Sequence, residues 1–371
     1  MHILVLVSND LSTDQRVERV CRSLVSQGHH ISLFGRQLPN SLPLENLPYK
    51  THRFQLPFHR GPLFYISLNL VFFFRLLFKR FDAIHANDLD TLLAAFLLSK
   101  LRRKPLVYDT HEYFTGVPEI QQRPLVKRVW QSIEKLIFPR LKNVFTVNQS
   151  IAQLYANEYP VQNIQVMRNI PPDMDVKPSP LPDFIPEKAF KIILQGNGIN
   201  VDRGGEEAVE MINHLSDVVL IIAGNGDVIP QLKQRVSTLK LENKVFFLPR
   251  MPYQQLMGIT ANCQLGLSLD KDTNINYRFS LPNKIFDYLR AGIPVLATPL
   301  LEVKSIVEKF QTGWICYDLS PQKMAEQIDQ IRNQTEVYEQ LKNNLPLASA
   351  QLNWENECKP LLECYARLAK A

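Results

Sequence analysis

The sequence predicts an α/β protein built of two doubly wound domains, each a parallel sheet wrapped by helices. Three observations carry that prediction. Short apolar runs rich in Val, Ile and Leu alternate with longer segments of helical period, as buried parallel strands joined by helices do. The alternation stops once, in PPDMDVKPSPLPDFIPEK at 171–188, and then restarts. The 371 residues also exceed what a single hydrophobic core usually organises.

HILVLV at 2–7 reads as the first strand, QRVERVCRSLVSQG as the helix after it, and HHISLFG as a second strand. FDAIHA, the helical LDTLLAAFLLSKL, PLVYDTHE, NVFTVN and the helical QSIAQLYANEY continue the rhythm. The prolines of 171–188 forbid a regular helix and suit a semi-rigid linker. Beyond it come KIILQG, GEEAVEMINHL, VVLIIAG, KVFFLP, CQLGLSL, a helix from Pro282, and IPVLAT. The expected domains are therefore 1–170 and 189–351, and NWENECKPLLECYARLAKA closes the chain as an amphipathic helix over about 352–371. Its apolar stripe is Leu361, Leu362, Tyr365 and Leu368.

Hydrophobic residues at 45% and charged residues at 21% exclude a disordered, collagen-like or disulfide-stapled chain. Five cysteines without C-x-x-C pairing, and a strand-like opening with no cleavable signal, fit a cytoplasmic protein. The net charge of +6 favours an acidic partner. No nucleic-acid-binding signature accompanies it, so phosphorylated small molecules or anionic lipid are the better candidates and nucleic acid is not expected.

In open parallel sheets ligands bind beyond the carboxyl ends of the strands, so two such domains are expected to flank a cleft with a ligand on each side. In YRFSLPNKIFDYLRAGIPVLA at 277–297, Ser280 reads as a cap, and Leu281, Pro282 and Asn283 form the turn into a helix. Free N–H groups at that turn, the helix dipole and Lys284 favour an anion, and Asp287 one turn on suits sugar hydroxyls. In QGNGINVDRGGEEAVE, Gly196 and Gly198 allow close backbone approach and Arg203 supplies a diphosphate clamp. Gly224 and Gly226 end the strand VVLIIAG in a third turn. Arg250 and the backbone at Met251 offer a ledge for a base. No Walker or G-x-G-x-x-G fingerprint is present.

In the first half, His111 and Glu112 follow the strand PLVYD directly, and Thr115 stands where H-E-x-x-H needs its second ligand, which excludes zinc-protease chemistry. His85 is a weaker candidate. Asp88 and Asp90 form a D-x-D that reads as helix N-terminal acids rather than a metal site. Asp14 and Arg16 lie beyond the first strand on the acceptor side, either touching acceptor or diphosphate or serving as a helix cap and a solvated cation. GPLFYISLNLVFFFRLLFKRF at 61–81 is the most apolar stretch. Its Asn69 and Arg75 argue against a spanning helix, leaving a helix packed on the sheet or an aromatic-basic face at a lipid surface.

Taken in order, SNDLSTDQRVERVCRSLVSQGHHISLF, HANDLDTLLAA, VYDTHEYF, VMRNIP, IILQGNG with DRGGEEAVE, IIAGNGD and PNKIFDYLRAGIPVLAT resemble the family-four retaining glycosyltransferases over almost the whole chain. The resemblance implies a GT-B fold of two Rossmann-like domains, with the last helix crossing back onto the N-terminal domain. It implies a metal-independent retaining hexosyltransferase with no cofactor. Its nucleotide-sugar donor would be held by the C-terminal domain, and its glycan or lipid-linked acceptor largely by the N-terminal one. Envelope polysaccharide or glycolipid synthesis, with peripheral contact to the inner face of the cytoplasmic membrane, is the expected setting. His111 takes the family position near the transferred sugar, on the acceptor side with Asp14, Arg16, His85 and Glu112. Arg203 and Lys284 take the leaving diphosphate. The chain departs from the family where E-x7-E would place its first glutamate, at Phe279, and where the phosphate arginine would stand, at Gly198. Those departures keep a non-catalytic nucleotide-sugar binder open as an alternative, beside a UDP-sugar 2-epimerase.

Overall fold

The structure is a computed structural model that describes residues 1–371 except 13, 40, 45, 162 and 371, together with all side chains of the rest but those of Pro118 and Glu119. It divides into two compact units, one of 1–169 with 354–371 and one of 170–353.

The first unit carries a seven-stranded parallel sheet of order β3-β2-β1-β4-β5-β6-β7. Its strands are β1 (His2–Asp10), β2 (His30–Arg36), β3 (Lys50–Phe54), β4 (Ala83–Asn87), β5 (Leu106–Thr110), β6 (Asn143–Thr146) and β7 (Ile164–Val166). The helices between them are α1 (Gln15–Ser26), α2 (Pro62–Leu76), α3 (Leu89–Arg102), α4 (Pro118–Gln121), α5 (Pro124–Ile137) and α6 (Gln149–Glu158). Strands β4 and β5 are buried at every residue, which explains why they read as unbroken apolar runs. The short β3 and β7 carry little apolar signal, being half-exposed edge strands.

The second unit carries a six-stranded parallel sheet of order β10-β9-β8-β11-β12-β13. Its strands are β8 (Phe190–Gly196), β9 (Val218–Gly224), β10 (Val245–Leu248), β11 (Leu265–Ser268), β12 (Val295–Ala297) and β13 (Gly313–Ile315). Its helices are α7 (Gly205–Ile212), α8 (Ile229–Thr238), α9 (Tyr253–Thr260), α10 (Ile275–Arg278), α11 (Lys284–Ala291), α12 (Leu301–Phe310), α13 (Pro321–Asn333) and α14 (Thr335–Gln351). One face of this sheet packs on α7, α8 and α13, and the other on α9, α11, α12 and α14.

The proline-rich 171–188 forms no helix or strand, yet it is anchored to the second unit. Ile185 sits in that unit's core, the Ser179 N–H donates to the Gly258 carbonyl, and Asn262 Nδ2 donates to the Ser179 carbonyl. The prolines thus straighten a strap across α9.

The chain ends in α15 (Trp354–Glu357) and α16 (Lys359–Lys370), both packed on the first unit; Ala371 lies outside the described residues. Leu361 and Tyr365 join the core formed with α1 and the sheet, and Trp354 Nε1 donates to Ser23 Oγ at 2.8 Å. Glu357 accepts the Arg168 backbone N–H at 2.9 Å and pairs with its guanidinium. The interruption at Cys358 breaks the single helix expected at the C-terminus into two.

Candidate functional site

Each sheet reverses its strand order once, and loops splay apart at such a switch point to leave a crevice at the carboxyl edge. In the second unit the switch lies between β8 and β11. The loop after β8 delivers Arg203, and the segment after β11 delivers Asp270 and, through α10, Lys284. Asp270 is fully buried and receives both cations: Arg203 Nη1 at 2.5 Å and Lys284 Nζ at 3.4 Å. Burial opposes ionisation of Asp270, but the two cations outweigh it and hold the carboxyl below its usual range. The same carboxylate raises Arg203 against its own burial. The Arg203 guanidinium lies 4.2 Å from the centroid of the Tyr277 ring, which fixes its plane.

The glycines around this crevice are set by backbone approach. A Cβ on Gly224, whose φ is +126°, would stand 1.9 Å from the Gly196 carbonyl oxygen. One on Gly226 would stand 2.0 Å from the Ile199 carbonyl oxygen. The two loops are laced together by Asn225 N–H to Gly196 O and Ile199 N–H to Asn225 O, each at 3.0 Å. Gly198 is exposed and open to solvent, and its Cβ would meet nothing closer than 3.9 Å.

Helix α11 begins at Lys284, not at Pro282, and its N-cap is Asn283. Ser280 is not the cap: its Oγ donates to the Tyr277 carbonyl, because the preceding turn of α10 claims it. Leu281 and Pro282 are half-buried in the turn and Asn283 is exposed. Asp287 faces a polar cluster, accepting from Tyr253 Oη at 2.7 Å and Gln195 Nε2 at 3.1 Å, with Thr260 Oγ1 donating to Gln195 Oε1. Arg250 is exposed between β10 and α9, and Met251 packs against the core.

In the first unit the switch lies between β1 and β4, and His111 follows the neighbouring β5. Asp88, the N-cap of α3 at φ +59°, accepts the His111 backbone N–H at 2.8 Å and lies 3.2 Å from its Nδ1. Asp109 lies 3.6 Å from His111 Nε2. Burial alone would lower His111, but Asp88 and Asp109 prevail and raise it to about 9. Burial also raises Asp88 above its usual range.

Two acceptor-side expectations are corrected here. Arg16 does not face a ligand: it is buried, grips Asp109 through Nε at 3.0 Å and Nη2 at 2.7 Å, and donates to the Met167 carbonyl at 2.8 Å. His85 is fully buried, with Nδ1 3.0 Å from Tyr365 Oη. A partly apolar core that closes over these side chains leaves neither free for an acceptor. Arg16 instead keeps Asp109 charged, well below the usual carboxylate range despite its burial. Asp14 caps α1 by accepting the Val17 N–H at 3.1 Å, and Glu112 is exposed beside the cluster.

The D-x-D pair does not converge. Asp88 serves His111, whereas Asp90 is buried in the first turn of α3 and pushed up to about 7 by burial and then by Asp88's charge. Among the described residues no group of His, Cys, Asp or Glu could hold a metal ion.

Sequence reasoning missed Asp270 and Asp109, the two buried acids that organise the clusters. Both left one signal: an acid at the carboxyl end of a short, mainly apolar run, in LGLSLD and LVYD, where an unpaired charge would be too costly.

Two family models match the chain. Glycosyltransferase Family 4 matches 14–170, and Glycosyl transferases group 1 matches 204–346. The chain belongs to glycosyltransferase family 4. It has the GT-B fold and transfers a sugar from a nucleotide-sugar donor. A comparison with curated protein sequences finds no match. Among solved structures, a glycosyltransferase from Rickettsia africae is similar over 100% of this chain and 98% of its own, at 15% identity and TM-score 0.78. HepE of Anabaena, solved with UDP and glucose, is similar over 99% and 100%, at 20% identity and TM-score 0.76. WaaG, a glycosyltransferase involved in lipopolysaccharide biosynthesis, is similar over 96% and 98%, at 14% identity and TM-score 0.67.

Proposed function

We propose that this family-4 enzyme is a retaining, metal-independent hexosyltransferase. The second unit takes the diphosphate of the nucleotide-sugar, and the acceptor is a glycan or lipid-linked hydroxyl compound of envelope polysaccharide or glycolipid synthesis, met at the inner face of the cytoplasmic membrane. The observation that carries the reading is the meeting of Arg203 and Lys284, from opposite sides of the switch point, on the one carboxylate of Asp270. Two cations held in advance at the carboxyl edge of a sheet need no reorganisation when a diphosphate gathers charge on leaving. Lys284 also opens α11, where the helix dipole favours an anion. It thereby supplies the second positive charge that Gly198 does not. Gln195 and Tyr253 fix Asp287 for donor hydroxyls, and the His111 cluster serves the acceptor side.

Thermal melting with a panel of UDP-, GDP- and ADP-sugars tests the donor site, since a ligand of the folded state raises the melting temperature. One nucleotide-sugar should stabilise the wild type, and that shift should vanish in Arg203→Ala and in Lys284→Ala. A shift kept in both variants removes the proposed site. No shift with any donor favours the non-catalytic reading, to which Phe279 and Gly198 point.

A further inference from the structure

Exposed apolar side chains of the first unit are concentrated on one layer. Helix α2 buries Phe64, Leu68, Phe72 and Leu76 on the sheet and turns the opposite stripe of Leu63, Ile66, Leu70 and Phe74 outward. Phe78, just beyond it, is 86% exposed. Helix α3 packs alongside and shows Leu97 and Leu101; α5 shows Leu125, Val129 and Leu136. Tyr65 of α2 meets Trp130 of α5 edge-on at 5.0 Å, so the three helices form one continuous surface. By contrast α1, α6 and α16, on the rest of the unit, expose no large apolar side chain among the described residues. A patch confined to one layer marks a contact surface.

The exposed charges on the three helices have one sign; Asp82, just beyond α2, is half-exposed and lies 3.8 Å from Lys104. Arg75, Lys79, Arg80, Lys100, Arg128 and Lys135 are exposed on or beside these helices, whereas the acids within them, Asp90 and Glu134, are buried. Where α3 ends, Lys100, Arg103, Lys104, Arg140 and Lys142 line a cavity of about 460 Å³ whose apolar wall includes Phe96, Leu141 and, from α16, Leu368. Among the described residues no helix is long and apolar enough to cross a membrane. Apolar stripes with a cationic rim on helices too short to span suit the interface of a bilayer carrying negative headgroups.

We propose that the outer face of α2, α3 and α5 docks on an anionic phospholipid bilayer, with the basic cavity receiving headgroup phosphate. A second copy of the chain is the poorer occupant, because a twofold contact would set this basic face against itself. The proposal rests on the preceding one for its lipid-linked acceptor and membrane setting, and it is tested without donor or acceptor.

The experiment is co-sedimentation of the full chain with vesicles of phosphatidylcholine, alone or with one third phosphatidylglycerol. Binding is expected to the anionic vesicles only, and to weaken in 0.5 M salt. Phe74→Ser with Phe78→Ser should reduce it. Arg75→Gln, Lys79→Gln and Arg80→Gln together should lower it on the order of a hundredfold, at about fivefold per cation near a charged surface. Both variants should keep the wild type's donor-induced shift. Phe74 and Phe78 face solvent, so their variant should melt with the wild type, whereas Arg75 and Lys79 lie over the Phe54 and Phe34 rings, so the cation variant should melt slightly lower. Wild-type-like sedimentation of either variant overturns the proposal, as does failure to bind anionic vesicles. A dimer in solution that the Phe74 and Phe78 changes abolish assigns the face to a second copy instead. Loss of the donor shift alone would strike the donor site and leave this surface standing.

Discussion

Replacing Asp270 by Asn keeps the shape of the side chain and removes the charge on which Arg203 and Lys284 meet. Breaking a buried pair from one side costs about 3–5 kcal/mol, because the remaining charge stays desolvated. The side chains of Arg203 and Lys284 are 26% and 13% exposed, so water relieves part of the penalty and the lower end, about 3 kcal/mol, is expected. In a domain of this length that corresponds to a fall in melting temperature of roughly 6–12 °C, at about 2–4 °C per kcal/mol. Diphosphate would return negative charge to the same two cations. Inorganic pyrophosphate or a nucleoside diphosphate should therefore stabilise Asp270→Asn by more than it stabilises the wild type. Calorimetry with and without pyrophosphate reads both effects. The folded Asp270 carboxyl lies below its usual range, so its contribution is complete above about pH 4 and fades as pH falls through the folded value. The variant should lack that acid-side loss. A fall of under about 2 °C, or equal pyrophosphate shifts in both proteins, would refute the shared-carboxylate argument.

Three further outcomes are expected. His111, raised to about 9, contributes stability that is complete below about pH 6.5 and lost as pH rises through 9. In Asp88→Asn, an NMR titration of the imidazole should move down towards 6.5; an unchanged midpoint would assign the whole shift to Asp109. Gly224→Ala should destabilise the donor loops by about 2 kcal/mol or more, since its Cβ would overlap the Gly196 carbonyl, whereas Gly198→Ala should fall within about 0.5 kcal/mol of wild type; equal denaturation midpoints would dispose of the close-approach reading. Tyr365→Phe removes the hydroxyl 3.0 Å from the buried His85 Nδ1, so a loss of about 1–3 kcal/mol is expected in urea denaturation, and none would mean that His85 has another partner.

The strands most legible in the sequence are those whose burial is uniform, although the half-buried edge strand β10 is legible too, as KVFFLP. β1, β4, β5, β8 and β9 lie inside their sheets and bury nearly every side chain, so each appears as an apolar run whatever its neighbours. The edge strands β3 and β7 do not, and neither carries such a run. Local chemistry also marks the crevice of the second unit: the glycines at 196, 224 and 226, the arginine before α7, and the lysine opening α11. The 61–81 segment shows where the pattern stops informing. Large apolar residues fall on every face of its helix, and only its docking on the sheet separates the face that stabilises the fold from the face that meets solvent.

What the sequence determined by itself is the two-domain parallel α/β plan, because periodicity and burial are properties of short segments. Tertiary structure alone decided which charged residues act together. Arg16 and His85 look available in the chain, but the close of the first sheet over them buries both. Asp270 and Asp109 look like ordinary strand-end acids until distant segments bring cations to them: Arg203 lies 67 residues from Asp270, and Arg16 lies 93 from Asp109. An ion pair depends on distance in space, and the energy of a buried charge depends on what the whole fold excludes. Neither quantity is written in any single stretch of residues.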